Sequence, residues 1–340
     1  MTDLTARNAP GVSHAMLVCD SRDRNGFYLR YVELGIAAGA AVLVLASCSH
    51  LDDLRPLLTG IDGDVRLTRL TSEGADPGRV LAAIRMFARE HGDRPTRYLQ
   101  EVGWPGRPRE ELLEALRYEG LTCRALAGSA ADVLCAYDDQ LDAGVLALAE
   151  QAHPVVVRDG YRHKNARFSR APELMDGFAP LSPAPGDASM LTFRRNQSEV
   201  REFTATRARR AGLSPDRVVD LVIAVAELAG NTMLHTESTG QLAIWSTGDE
   251  IICEVSDSGH IADALAGTIR PDPAESGSRR GLWLVHQVSD LVQARTGSAG
   301  STVRVHFRLD SGIAAHRLGG GPAGSAGLGP ITRERGTALT

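Results

Sequence analysis

Glu227 and Asn231 stand four positions apart in AVAELAGNTMLH, Ala224 to His235, a segment otherwise made of apolar residues and helix formers. At 100° per residue they share a helical face with Asp220 and Ala224, while Val218, Leu221, Val222, Val225 and Ala229 form a stripe on the opposite side. A surface helix shows the same split, so the pair alone decides nothing. The residues C-terminal to it are more telling. Asp257-Ser258-Gly259 closes a strand-like run, a polar Gly/Pro-rich loop spans His260 to Arg280, and Arg279-Arg280-Gly281-Leu282 opens an apolar helix. Three polar elements at strand and helix ends point to one ligand.

The chemistry these types suit is nucleotide binding with magnesium. The amide oxygen of Asn231 is a hard neutral ligand for an ion that keeps several waters and takes other ligands from phosphates. The Glu227 carboxylate, one turn earlier, can orient or deprotonate a nucleophile beside a γ-phosphate. Asp257 can accept from an exocyclic amine, and Gly259 lets a flat ring approach the backbone. Gly281, followed by Leu282, frees a helix N-terminus to donate N–H groups to phosphates, with Arg279 and Arg280 as counter-charges.

The elements that must position these residues are legible in outline. In the second half, LTFRR from Leu191 reads as a strand and Ser198 to Ala211 as a helix. Ser214-Pro215 is an N-cap followed by proline at the first helical position, opening a helix to His235. GQLAIW and EIICEVSD read as strands, Ile251, Cys253 and Val255 of the second alternating with Ile252, Glu254 and Ser256. GLWLVHQVSDLV reads as a helix, and QARTGSAGSTVRVHFRL as a closing hairpin. In the first half HAMLVC, AAVLVLAS, DVRLTRL and DVLCAY read as strands, with helices over Arg24 to Ala38 and Pro77 to His91. That alternation implies an α/β domain: a mostly parallel sheet with helices on both faces. The expected organisation is an α/β domain over 1–155, a Pro/Gly-rich linker over 156–189, a second α/β domain over 190–310 and a disordered Gly/Ala-rich tail over 311–340.

The 340 residues and 43% apolar content agree with two such domains. A net charge of −5 leaves no basic surplus for a nucleic-acid footprint. The longest apolar run, Leu34 to Cys48, is shorter than the ~20 residues of a spanning helix, and no signal peptide precedes it. The reading is cytoplasmic, with no membrane partner. Five cysteines, Cys19, Cys48, Cys123, Cys135 and Cys253, show no CxxC spacing and imply reduced thiols rather than a disulfide framework. The only lysine, Lys164, lies outside any glycine-rich turn, so the first domain is not a P-loop ATPase.

ELAGN, VSDSG and RRGLWLVHQVSD, in that order, resemble the N, G1 and G2 boxes of the GHKL ATPase superfamily, and most of all its anti-sigma-factor serine kinase branch, the RsbW type. The resemblance covers Leu191 to Leu309. It implies a two-layer α/β sandwich of the Bergerat type that binds ATP and Mg2+. Asn231 would hold the metal, Glu227 would be the catalytic-base equivalent, Asp257 would bind adenine, and Gly259 and Gly281 would shape the pocket, with Arg279, Arg280 and Leu282 at its phosphate side. It further implies a sigma factor as partner, phosphorylation of a serine on a STAS-type anti-anti-sigma protein, and a homodimer. Arg279 departs from the pattern, which has glycine there. A non-catalytic, nucleotide-dependent sigma-binding module is the alternative. A sensor histidine kinase is the third reading, disfavoured because His153 and His163 have neither heptads around them nor an acid after them.

HAMLVCDSRD, GIAAGAAVLVLAS, EVGWPGRPREE and LCAYD resemble the MEDS sensory domain that precedes this ATPase in some actinobacterial anti-sigma regulators. Departures fall at Val102 and Gly103, at Ala136 and at Tyr118. In an open parallel sheet ligands sit beyond the carboxyl ends of strands. Cys19 and Cys48 are thus placed to share a crevice with Asp23 and His50, as a redox or metal switch or simply as packing and loop ends. Trp104 reads equally as a core anchor.

Overall fold

AVLVLAS is apolar except at its last residue, and the whole segment is buried. That is what a strand inside a parallel sheet requires, since helices cover both faces. The structure is a computed structural model that describes residues 2–3, 12–20, 22–70, 76–169, 181–236, 239–270, 279–309 and 332–334. The chain divides into two units, one of residues 1–75, 83–178 and 328–340, the other of residues 76–82 and 179–327.

The elements of the first sheet and its helices run β1 (Thr2–Asp3), β2 (Ser13–Cys19), α1 (Arg24–Ala37), β3 (Ala41–Ser47), α2 (Cys48–Leu57), β4 (Val65–Leu70), α3 (Pro77–His91), β5 (Thr96–Gly103), α4 (Arg109–Ala125), β6 (Ala131–Asp138), α5 (Ala143–Ala152), β7 (Val155–Arg158) and β8 (Tyr161–Lys164). The strand order is β1-β8-β7-β2-β6-β5-β3-β4, and the strands from β7 to β4 are mutually parallel. On one face Tyr28, Tyr31 and Val32 of α1 and Leu51 and Leu54 of α2 pack on Ala15, Leu17, Val42, Val44, Leu99 and Leu134. The other face carries His14, Cys135 and Tyr137, covered by α4 and α5. The expected parallel sheet with helices on both faces is what the chain forms.

The boundary is later than residue 155. β7 and β8 fall in the range expected as linker, but β7 pairs in parallel with β2, and β8 returns antiparallel through the turn at Asp159 and Gly160. Two four-residue strands are too short for a periodic signal. Of the tail, Thr332–Glu334 form a strand (β14) antiparallel to β4, and the rest lies outside the described residues. Trp104 is not a core anchor: it is half-buried, and the Arg107 guanidinium lies over its ring at 4.7 Å.

The second unit continues with β9 (Ser189–Phe193), α6 (Gln197–Arg210), α7 (Pro215–His235), β10 (Gly240–Ser246), β11 (Glu250–Asp257), α8 (Arg279–Val288), β12 (Leu291–Gly297) and β13 (Gly300–Arg308). Its sheet has the order β12-β13-β11-β10-β9, every neighbouring pair antiparallel. Ile251, Cys253 and Val255 of β11, with Val303, Val305 and Phe307 of β13, meet Leu221, Val225, Leu228 and Ala229 of α7 in one core. This is the two-layer sandwich that the sequence implies. α7 is apolar and long enough to cross a bilayer by composition, yet here it is the core helix of the sandwich.

Ser214 occupies the N-cap position of α7, its carbonyl accepting the first helical bond from Val218 N at 2.8 Å while its side chain makes no cap bond, and Pro215 takes the first helical position as expected. The buried face of α7 is wider than the stripe. Ala224 and Leu228 are buried too, because α6 and α8 both pack along α7 beside the sheet. α8 is shorter than its apolar run suggests. It stops at Val288, and Asp290 N already donates to His306 O at 3.0 Å, so Leu291 and Val292 belong to β12.

Candidate nucleotide site

Successive turns of α7 carry Glu227, Asn231 and Thr232 past the end of β11. There Thr232 Oγ1 donates to Asp257 Oδ2 at 2.5 Å, and Gly259 N donates to Asp257 Oδ1 at 2.8 Å. The carboxylate is thereby held by one donor on each oxygen, and each oxygen keeps a lone pair for a further donor. Gly259 stands so close that a Cβ on it would lie 2.7 Å from Thr236 Cγ2 and 2.9 Å from Asp257 Oδ1. A side chain there would push the carboxylate aside.

The turn after β12 supports the same corner. Ser301 Oγ donates to Gly259 O at 3.0 Å, and Thr296 Oγ1 lies 2.9 Å from both Ser301 Oγ and His260 Nδ1. Gly300 is required by two facts. Its φ is +125°, and a Cβ would run into the Asp257 carbonyl oxygen.

The third polar element closes from the other side. A Cβ on Gly281, in the first turn of α8, would lie 2.8 Å from Glu227 Oε2 and 3.5 Å from both amide atoms of Asn231. Only a residue without a side chain brings the helix start this near the carboxylate and amide of α7.

Between these elements lies a cavity of about 510 Å3. Asn231, Thr232, Asp257, Gly259 and Leu282 line it, with Leu228, Val255, Ile261 and Val303 as an apolar wall and the exposed His260, Asp263 and Arg270 also among the lining residues. A cavity of this size, mostly apolar with a few fixed polar groups, suits a small organic ligand such as a nucleoside. Glu227 and Gly281 stand against each other beside the cavity rather than in its wall. Arg280 is exposed in the first turn of α8. Arg279 begins that helix, but its side chain lies outside the described residues, as do residues 271–278 of the preceding loop.

Thr232, Ser301, Thr296 and Gly300 escape a sequence reading. Thr232 is adjacent to Asn231, but nothing in the sequence pairs it with Asp257. Gly300 sits in TGSAGST, where any glycine serves a hairpin equally well.

The first unit has its own polar cluster beyond the strand ends. Arg24 pairs with Asp138 at 2.7 Å and bonds His50 Nε2, while His50 Nδ1 bonds Glu101 Oε1 and Ser47 N donates to Glu101 Oε2 at 2.7 Å. His50 is therefore in the crevice. Burial pushes the Cys19 thiol up to about 11, Arg24 opposing and Asp138 and Glu101 adding to the rise, so it stays a protonated thiol at neutral pH. Cys48 Sγ lies 3.8 Å from the Leu70 carbonyl of β4. Asp23 precedes α1 without a side-chain cap bond.

Residues 194–307 match the histidine kinase-like ATPase domain family, HATPase_c_2. Residues 13–154 match MEDS, the methanogen/methylotroph, DcmR sensory domain. The chain thus carries a MEDS sensory domain followed by a GHKL-type ATPase domain, the architecture that the sequence motifs indicate. No curated protein matches it.

Proposed function

We propose that this chain is an anti-sigma regulatory factor: its ATPase domain takes ATP with Mg2+, holds a sigma factor, and phosphorylates a serine of a STAS-type anti-anti-sigma partner under control of the MEDS domain. The observation that carries the reading is the convergence of three sequence-distant elements on one corner, Asp257 on Thr232 and Gly281 on Glu227 and Asn231.

The residues present fit the group. The bare Cα of Gly281 leaves a cradle that a Cβ would fill, and the doubly held Asp257 sits in a cavity large enough for a nucleoside. Bound magnesium ATP would supply the phosphoryl group and a cation to neutralise its charge. Asn231 would hold the metal through its amide oxygen. Asp257 would accept from the adenine amine. Glu227 would orient the serine hydroxyl and take its proton as the new bond forms. Arg279, Arg280 and the N-terminal N–H groups of α8, with Leu282 behind them, would offset phosphate charge.

The alternative of stoichiometric capture without catalysis rests on two observations: Arg279 where the family pattern has glycine, and Glu227 set beside the cavity rather than in its wall. Histidine autophosphorylation is disfavoured by His153, which is fully buried with its Nδ1 bonded to Ala149 O at 2.7 Å. Labelled γ-phosphate and a cognate STAS protein separate the readings. Transfer to a serine that is lost in Glu227→Gln supports the kinase, whereas nucleotide-dependent sigma binding with no transfer leaves the capture module. The reading is cytoplasmic, and a homodimer would follow the family.

A further inference from the structure

Four side chains that could ligate a metal meet inside the first unit, away from the strand-end cluster. His14 on β2 and Cys135 on β6 point from the same sheet face, Glu119 comes down from α4, and His153 follows the last residue of α5. All four are buried, and one potential ligand atom from each lies within 4.8 Å of every other. His14 Nε2 is 3.2 Å from Cys135 Sγ, and His153 Nε2 is 3.7 Å from Glu119 Oε1. The edges of a tetrahedron with zinc–nitrogen, zinc–oxygen and zinc–sulfur bonds of ordinary length are roughly 3.3–3.8 Å. The set is therefore close to the size such an ion needs.

Two further features single it out from chance packing. Glu119 Oε1 and His153 Nε2 are buried without a hydrogen-bond partner, a costly state for polar atoms in a sealed interior. Their surroundings also orient them as ligands. His153 Nδ1 donates to the Ala149 carbonyl, which makes Nε2 the bare lone pair facing the cluster, and Tyr137 Oη–H donates to Glu119 Oε2, which leaves Oε1 facing inward. A ligating histidine whose other nitrogen is bonded to a carbonyl, and a ligating carboxylate whose other oxygen is bonded, are the usual outer arrangement of a metal site.

We propose that His14, Glu119, Cys135 and His153 form a closed four-ligand site for a divalent ion of zinc type in the sensory domain. Two imidazoles, a thiolate and a carboxylate are a donor set for a borderline-soft ion in tetrahedral geometry, and one not shared by magnesium. The charges close as well, since a thiolate and a carboxylate balance a dication in an interior where a net charge is costly. Binding forms two metal–nitrogen bonds, one metal–oxygen bond and one metal–sulfur bond, and the Cys135 proton leaves to solvent. The four residues are spread over β2, α4, β6 and the end of α5, so loading would tie the two helices to the sheet.

The test uses the full chain, stripped by chelator and reloaded with zinc or cobalt(II) alone. One tightly held zinc per chain is expected, and cobalt should give the near-ultraviolet thiolate band together with the visible bands of a tetrahedral ion. Cys135→Ser and His153→Gln should each weaken zinc at least about tenfold, whereas Cys48→Ser should leave it unchanged. Circular dichroism identifies variants that fold. A folded wild-type chain that retains no zinc or cobalt overturns the assignment even if every variant misfolds, and so does a cobalt spectrum without the thiolate band or one unchanged in folded Cys135→Ser.

Discussion

Thr232 Oγ1 donates a 2.5 Å hydrogen bond to Asp257 Oδ2, tying the last turns of α7 to the end of β11. The bond holds the carboxylate that also accepts from Gly259 N in the cavity wall. In Thr232→Val the methyl groups keep the packing and the donor is lost, so Asp257 is free to turn. ATP affinity is expected to fall about fivefold to tenfold, roughly 1–1.4 kcal/mol for one hydrogen bond to a charged group. Calorimetric titration reads the change, and an unchanged thermal midpoint shows that the fold is kept.

Gly281 is the second link. A Cβ there would lie 2.8 Å from Glu227 Oε2, and the carboxylate end can swing away more cheaply than α8 can move. Gly281→Ala is therefore expected to leave stability within about 1 kcal/mol of wild type but to lower phosphoryl transfer more than nucleotide affinity. Equal losses in both would show that Glu227 has no part in transfer.

Gly300 tests the corner from the backbone. Its φ of +125° is available to glycine alone, and an added Cβ would collide with the Asp257 carbonyl. Gly300→Ala is expected to cost about 2 kcal/mol or more of stability and to loosen the start of β13 from the end of β11. Gly297→Ala, with nothing within 4 Å of the added atom, is the matching control. Thermal unfolding of both variants gives the comparison.

How far these relationships are legible in the sequence depends on their range along the chain. The start of α7 is legible because Ser214-Pro215 carries its own local signal, and the strand of EIICEVSD because its alternation is periodic. The end of α8 is not, since an apolar run does not say where a helix gives way to a strand, and Asp290 N bonding to His306 O settles that from a distance. β7 and β8 are too short to announce themselves. The polar boxes point to Asn231, Asp257 and Gly281, but not to Thr232 holding Asp257 or to the constraint at Gly300. His14, Glu119, Cys135 and His153 have no common spacing at all; only the parallel register of β2 with β6 and the packing of α4 and α5 brings them together.

Glu101 carries a pH dependence in the first unit. Burial alone would raise its pKa, but the hydrogen bond from His50, the Ser47 N–H and the Arg24 guanidinium together bring it below the ordinary glutamate value, with Cys19 and Asp138 as the other groups nearby. A carboxylate held low in the folded state stabilises it above the unfolded pKa of about 4.3, and that contribution fades as pH falls through the folded value. Glu101→Gln is expected to lower the thermal midpoint most near neutral pH, with the gap to wild type closing below about pH 4. A gap independent of pH would contradict this.

The central claim is that α7, the end of β11 and the start of α8 form one nucleotide site with a metal held at Asn231. Its most direct test is calorimetric titration of ATP, with and without Mg2+, into wild type and Asn231→Ala. The account predicts that magnesium tightens ATP binding to wild type by about tenfold or more and that Asn231→Ala binds ATP with the magnesium effect abolished. No heat from wild type at millimolar ATP, or the same magnesium effect in both proteins, would contradict it.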